Sequence, residues 1–274
     1  MLSVADACAA VRKEVVSSRS ADDLAYFNLH ERRFRATASR IIELVPSGAR
    51  ILDVGSHYLH LTSVLALVGY EVRAIDVPAH STLPFVRERA VRMGIPLTVA
   101  EGDAVAQGRF LTAEADSFDA VLFCEILEHI TFNPIPFWRR IHGLLRPNGI
   151  ILLTTPNSLK LLSVLGALWN LVTLRRIGLS VKQIMGHATF GQHWKEYSAR
   201  EIGEYFAHLS PDFMVHIRKV HYGPVPEDVQ RTIGSLRTAI LRFGNATGFF
   251  ADNLEAVITL SAKTTWTLRE PRAG

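Results

Sequence analysis

Short apolar runs alternate with amphipathic stretches along most of this chain of 274 residues. The runs at 50–54, 71–75, 97–100, 119–124 and 149–154 are rich in Val, Ile and Leu and read as buried strands. Between and after them, apolar positions recur at helical spacing near 60–68, 82–93, 134–145 and 199–208. Upstream, residues 1–48 carry a helical pattern. Ser20 precedes Ala21-Asp22-Asp23 as an N-cap with acids in the first turn, and Ile41, Ile42 and Leu44 close a helix that stops at Pro46-Ser47-Gly48. Downstream, 213–222 and 254–262 are β-rich, and 227–243 between them reads as helix. Alternation followed by two late strands predicts an α/β fold with a doubly wound, Rossmann-like sheet. That sheet is mostly parallel, with one antiparallel strand near the C-terminal end.

One unit within this pattern points to a ligand. Ile51 to Val54 is a strand, Gly55 a tight turn, Leu61, Val64, Leu65 and Val68 the apolar face of a helix, and Glu71 to Ile75 a second strand ending in Asp76. A strand–glycine–helix–strand–acid unit of this length is a nucleotide-binding half, in which the terminal acid holds ribose hydroxyls. Two ligand classes share it. Dinucleotides need Gly-x-Gly-x-x-Gly so that backbone can approach the pyrophosphate. Here only Gly55 remains, with His57 and His60 where the next glycines would stand. Asp53 would repel a diphosphate but suits the ammonium of a methionine. Charge therefore favours S-adenosylmethionine over a dinucleotide.

Composition narrows the organisation. With 48% hydrophobic residues the chain can bury one sizeable core, read as a helical cap over 1–48 and a main domain over 49–274. Residues 159–198 read as a lid or substrate-binding insertion in that domain. Charged residues at 20% exclude a disordered chain, and a net charge of +4 is too scattered to mark a nucleic-acid surface, so no nucleic-acid partner is expected. The two cysteines, Cys8 and Cys124, form neither a disulfide framework nor a metal pair. The first residues carry an acid before their basic positions and no long apolar run, and no stretch reaches the roughly 18 apolar residues of a membrane span. A cytoplasmic location is the expectation.

Further stations follow in order. Gly102-Asp103-Ala104 succeeds the third strand and offers a carboxylate to an adenine amino group. The fourth strand ends in Glu125, and Leu144-Leu-Arg-Pro-Asn-Gly149 leads into the fifth. The succession ILDVG, AID, GDA, FDAVLFCEILEHI and LLRPNGIILLTTPN resembles the class I S-adenosylmethionine-dependent methyltransferases across roughly residues 40–160. The resemblance implies that Asp53, Asp76 and Asp103 contact methionine, ribose and adenine respectively, with Gly55, Ser56, Ala104 and Glu125 also against the cofactor. Taken singly, the three acids could equally be a helix cap, a strand-end turn and an Asx-turn. The chain departs from the family at residues 56–59, which lack its loop glycines.

The acceptor side centres on Glu125, Glu128 and His129. A helical turn after the fourth strand would put them on one face at i, i+3 and i+4, at the carboxyl end of the sheet. Such a set can hold a divalent cation or move a proton. Glu-x-x-Glu-His with a distal His resembles the metal-assisted branch of the family, which includes ubiquinone-biosynthesis and small-RNA 2′-O-methyltransferases. That likeness implies Glu125, Glu128, His129 and His193 as ligands of Mg²⁺ or Mn²⁺, with His187 in reserve for His193, and His129 and His193 as the catalytic imidazoles. Two imidazoles shift the preference toward manganese or another transition ion.

Residues 159–179 carry apolar side chains at 161, 162, 164, 165, 168, 169, 171 and 172, followed by Arg175 and Arg176. This is either a lid or peripheral membrane helix touching lipid, or a buried or homodimer-forming helix; its all-round hydrophobicity favours the latter. Tyr26, Phe27, His30 and Arg33 could fold over the cofactor, with helix packing the simpler role. The combined expectation is an O-methyltransferase acting on a small-molecule hydroxyl. A sugar or glycan is favoured, because TTPN and a distal His-x-x-x-Tyr resemble sugar-pathway methyltransferases. A phenolic or quinol lipid precursor is the alternative, and a non-catalytic cofactor-binding module is the alternative from another class.

Overall fold

The computed structural model describes residues 2–175, 178–186, 191, 193–222 and 251–268. The helix expected over 227–243 lies outside them. Seven strands form one sheet: β1 (Arg50–Val54), β2 (Glu71–Asp76), β3 (Leu97–Val99), β4 (Phe118–Cys124), β5 (Leu145–Pro156), β6 (Phe213–Val220) and β7 (Asn253–Leu260). Their order is β3-β2-β1-β4-β5-β7-β6. The first five are parallel, and β7 runs antiparallel to both β5 and β6. The expected sheet, with its one reversed strand near the C-terminal end, is the observed one.

Alternation along each central strand decides which layer a residue joins. Leu52, Val121, Phe123, Ile151 and Leu153 face α7 (Ile135–Leu144) and α10 (Ala199–Leu209). Ile51, Ala120, Leu122, Ile150 and Leu152 face the opposite layer of α1 (Val4–Ser17), α2 (Ala21–Leu44) and α3 (His60–Val68). Both faces are covered, which is why these strands read as continuous apolar runs. The helices over 1–48 therefore share a core with the sheet. Ser20 caps α2 through the Asp23 N–H, as its position suggested.

Two boundaries differ from expectation. The helix expected over 82–93 is α5 (Pro84–Arg92), which starts at Pro84, and a separate short helix, α4 (Pro78–Ser81), precedes it, because Pro84 cannot continue a helix and starts a new one. Strand β5 begins at Leu145 instead of Gly149. Leu145 pairs with Phe118 and Ile150 with Ala120, so the residues between bulge out, with Asn148 at φ +63. The short helix α6 (Gly102–Ala106) follows β3, and α8 (Leu161–Val172) and α9 (Val181–Met185) follow β5. Leu165, Leu168, Trp169, Leu171 and Val172 are all more than half exposed, so this chain does not bury α8. No helix among the described residues is long and apolar enough to cross a membrane.

A buried polar cluster seats the N-terminal layer. Asp23 of α2 takes a two-pronged ion pair from Arg89 of α5, at 2.6 and 3.1 Å, and bonds from His60 Nε2 and Ser18 Oγ, each 2.7 Å. Burial by itself would raise the Asp23 carboxyl, but the His60 and Arg89 hydrogen bonds outweigh it and hold it at about 2.

Trp138 is the largest fully buried side chain, packed on Phe123, Phe137 and Phe206, and its Nε1 donates to the Tyr205 hydroxyl at 2.8 Å. Trp138→Ala should lower unfolding stability by about 3–5 kcal/mol in urea titration. Tyr205→Phe, which strands the indole N–H, should cost about 1–3 kcal/mol.

Candidate active site at the switch point of the sheet

β1 and β4 are neighbours in the sheet but not in the chain, and winding reverses between them. Ligands bind α/β sheets in the crevice beyond the strand ends at such a point. A cavity of about 530 Å³ opens there. Val54, Ile75, Phe123, Ile126, Phe132 and Phe137 make its apolar wall. Its polar groups come from five places: Tyr26, His30 and Arg33 of α2, His57 of the β1–α3 loop, Asp76 and His80 after β2, Glu125 to His129 after β4, and His193.

The β1–α3 loop turns without a second glycine. Gly55, His57 and Leu59 have φ of +75, +50 and +62. For the two residues with side chains this left-handed backbone costs about 1–3 kcal/mol each. A Cβ on Gly55 would stand 2.1 Å from Ile126 Cδ1. Outside contacts hold the loop. The Asp76 carboxylate accepts from the N–H of His57 and of Val77, and the His57 ring stacks on Tyr26, centroids 4.0 Å apart. Burial first, then the nearby imidazoles of His80 and His60, push His57 down to about 3, so it is neutral at pH 7.

Of the residues singled out from the sequence, Gly55, Asp76, Glu125, Glu128, His129 and His193 line the cavity. Asp53 and Ser56 do not. They face a small space of about 40 Å³ behind the loop, where Asp53 is 4% exposed and accepts from the Thr62 hydroxyl at 2.6 Å. Burial pushes Asp53 up to about 7, Thr62 partly offsets this, and the charge of Asp76 adds to it. Asp103 is exposed on α6, and neither it nor Ala104 lines the cavity, whereas Val105 of the same short helix does.

The expected one-face arrangement of Glu125, Glu128 and His129 does not form. Glu125 has φ +57, which breaks helical spacing, and a 3₁₀ turn, Leu127–His129, follows it. The Glu125 carboxylate is held by Asn253 Nδ2, 3.0 Å from both oxygens, and by Arg33 at 3.4 Å. Glu128, His129 and His193 do converge, with ligand atoms all within 4.8 Å of one another. Thr155 donates to one Glu128 oxygen at 2.9 Å, and the other is buried with no hydrogen-bond partner among the described residues. Burial, then the charge of Glu125, raise Glu128 to about 7. His193 arrives because the Trp194 N–H donates to the Glu128 carbonyl at 2.7 Å, while Tyr197 bridges Asn157. His187 lies outside the described residues.

Of Tyr26, Phe27, His30 and Arg33, for which helix packing was the simpler expectation and a cover over the cofactor the alternative, Tyr26, His30 and Arg33 line the cavity and Phe27 lies in the core. His80 was not singled out. Its signal was the spacing Asp76-x-x-x-His80, which places the imidazole 3.3 Å from the Asp76 carboxylate.

Residues 29–209 match the methyltransferase domain family, and the chain belongs to it. It shares its fold with S-adenosylmethionine-dependent methyltransferases of known structure. Curated relatives are ubiquinone biosynthesis O-methyltransferases. That of Methylocella silvestris is 32% identical over 165 residues, 58% of this chain and 57% of that one. That of Xanthomonas axonopodis pv. citri is 36% identical over 115 residues, 42% and 46% of the two chains. The chain thus spans about half the length of the curated relatives it matches. Two solved structures share the fold. An S-adenosylmethionine dependent methyltransferase from Mesorhizobium loti has a TM-score of 0.53 at 14% identity, covering 81% of this chain and 96% of that one. Phosphoethanolamine N-methyltransferase 2 of Haemonchus contortus has 0.54 at 15%, covering 91% and 60%.

The Asp53 carboxyl gives a pH test. Folded, it keeps its proton to about pH 7, against 3.8 for the free side chain. The pH-linked cost of keeping it protonated is therefore absent below about pH 4, grows between about pH 4 and 7, and levels off above that. The stability of Asp53→Asn relative to the native chain should grow by up to about 4 kcal/mol between pH 4 and 8 in urea titrations. A flat difference would show that this carboxyl ionises normally.

Proposed function

We propose that this chain transfers the methyl group of S-adenosylmethionine to a hydroxyl of an aromatic small molecule. The observation that carries this is the convergence of a buried, half-satisfied carboxylate, Glu128, with the imidazoles of His129 and His193 at the edge of a largely apolar cavity. In the transfer, an acceptor oxygen attacks the methyl carbon in line with the carbon–sulfur bond. The new O–C bond forms, the bonding pair returns to sulfur, and the hydroxyl proton leaves. Placement is the larger part, since effective molarities of well-oriented groups exceed about 10⁵ M. A phenol, with a pKa near ~10, needs only modest help with its proton.

The cluster suits a divalent cation. A carboxylate oxygen that is buried and unpartnered, with two imidazoles in reach, leaves positions open for water and an acceptor oxygen, and two nitrogen donors favour Mn²⁺ over Mg²⁺. Such a cation would lower the acceptor's pKa. Glu128, His129 and His193 would hold it, and Thr155 orients the carboxylate. Glu125, tied to Asn253 and Arg33, shapes the wall and fixes the cap. Without a cation, the two imidazoles are the groups that take the proton.

Phenol is preferred to the sugar expected from the sequence for two reasons. The TTPN motif is engaged in the fold: Thr155 holds Glu128, while Asn157 is 2% exposed, donates to the Ala251 carbonyl and accepts from the Leu159 N–H. The apolar and aromatic wall suits a ring, and the relatives' names concern ubiquinone. A lipid-linked acceptor also accords with α8, whose exposed apolar side chains lie among Lys160, Arg175 and Lys182 with no acid between Asn157 and Glu196. Contact with an anionic membrane surface is accordingly preferred to a homodimer there.

Radiolabelled methyl transfer across catechols, other phenols and sugars tests the acceptor class, and transfer to sugars alone would overturn it. Activity should fall in EDTA and return with Mn²⁺; full activity in chelator removes the cation. Glu128→Gln should lower kcat/KM about a hundredfold or more. Phosphatidylglycerol vesicles should sediment the native chain and not Leu168→Glu/Val172→Glu; sedimentation of neither would count against lipid contact.

A further inference from the structure

Arg89 and Asp23 are both fully buried, and neither lines the main cavity. Arg89 Nη1 nevertheless donates to the Tyr58 carbonyl at 2.6 Å, in the middle of the cofactor-facing loop. Tyr58 lies between His57 and Leu59, the two residues with side chains in left-handed backbone. Holding that carbonyl orients the peptide plane between Tyr58 and Leu59, whose N–H closes the turn onto the Ser56 carbonyl at 2.9 Å. A planar guanidinium gripped at two points by a carboxylate has a fixed aim, which a single contact would not provide. His60 and Ser18 take further lone pairs of Asp23, so the carboxylate is itself held from two more directions.

We propose that the Asp23–Arg89 pair is the positioning device of the methyl-donor loop, holding residues 56–59 in the turn that glycines would otherwise allow. The proposal rests on the reading of the adjoining cavity as the S-adenosylmethionine site. Two features of the molecule support it. The loop's backbone is unfavourable in isolation and so persists only where its surroundings over-determine it. In addition, α2 acts on the loop twice. Asp23 aims the guanidinium at Tyr58, and Tyr26, about one turn further on, stacks on His57. Neither Asp23 nor Arg89 lines the cavity in which Glu128, His129 and His193 converge. Their effect should therefore fall on the methyl donor and spare the acceptor.

Arg89→Lys keeps a charge opposite Asp23, but its ammonium ends one bond short of the Nη1 position and gives up the Tyr58 carbonyl. Calorimetry should show the Kd for S-adenosylmethionine raised about fivefold or more. In kinetics the donor KM should rise likewise, with acceptor KM and kcat at saturating donor within about twofold of native. Val11→Ala, a buried change in α1, is the control for stability loss alone, and its donor Kd should stay at the native value. If Arg89→Lys does not fold, Asp23→Asn/Arg89→Gln, which removes both charges together, is judged by the same criterion. A folded variant with native donor affinity overturns the inference, as does equal loss in Val11→Ala. A native chain that gives no heat with S-adenosylmethionine would instead overturn the functional reading beneath it.

Discussion

One buried ion pair, Asp23 with Arg89, supported by His60 and Ser18, ties the N-terminal layer to the β1–α3 loop through the Tyr58 carbonyl. Taking two charges out of water costs several kcal/mol each, and their attraction repays this only with good geometry and satisfied neighbours. Asp23 meets that condition with four hydrogen bonds at 2.6 to 3.1 Å. The pair is therefore poor evidence for added stability and good evidence for a single arrangement. With His60 it joins α2, α3 and α5. Tyr26, His30 and Arg33 reach the cavity only because α2 is seated there.

The two ends of the cavity are built by different means. At the β1–α3 loop, backbone geometry does most of the work: strained loop residues are held by Asp76, by the Tyr26 ring and by a guanidinium. At the Glu128 cluster, side chains from distant parts of the chain converge. The Glu128 carbonyl receives the Trp194 N–H, and this long-range contact brings His193 beside His129, ring centroids 5.0 Å apart. Apolar side chains between the two ends lower the local polarity, which strengthens the electrostatic effects of the groups that remain.

Much of the fold was legible because strand and helix periods are local properties. Strands β1, β2 and β4 were readable from their Val, Ile and Leu runs, and the late β7 reversal from two β-rich segments that follow the alternating part of the chain. Pro84 and the Arg146–Gly149 bulge shifted boundaries because a breaker marks an interruption without saying whether the element resumes. The site was legible in part. Glu128, His129 and His193 were singled out and do converge, whereas the helical-face argument for Glu125 failed once its backbone turned left-handed. Asp53 and Asp103 sit at their expected strand-end positions yet do not line the cavity, since position along a strand does not say which way a side chain is covered.

Sequence alone determined the α/β architecture, its mostly parallel sheet with a late reversal, and the strand–glycine–helix–strand–acid unit from Ile51 to Asp76. These follow from local periodicity and from residue types fixed within one supersecondary unit. Tertiary structure alone decided that α2 walls the cavity, that α8 stands exposed, and that Asp53 is buried behind the loop it was expected to serve. Those outcomes depend on contacts between residues far apart in the chain, such as Asp23 with Arg89 and Glu128 with Trp194. Whether such groups meet is set by how whole layers pack, and no local pattern encodes that.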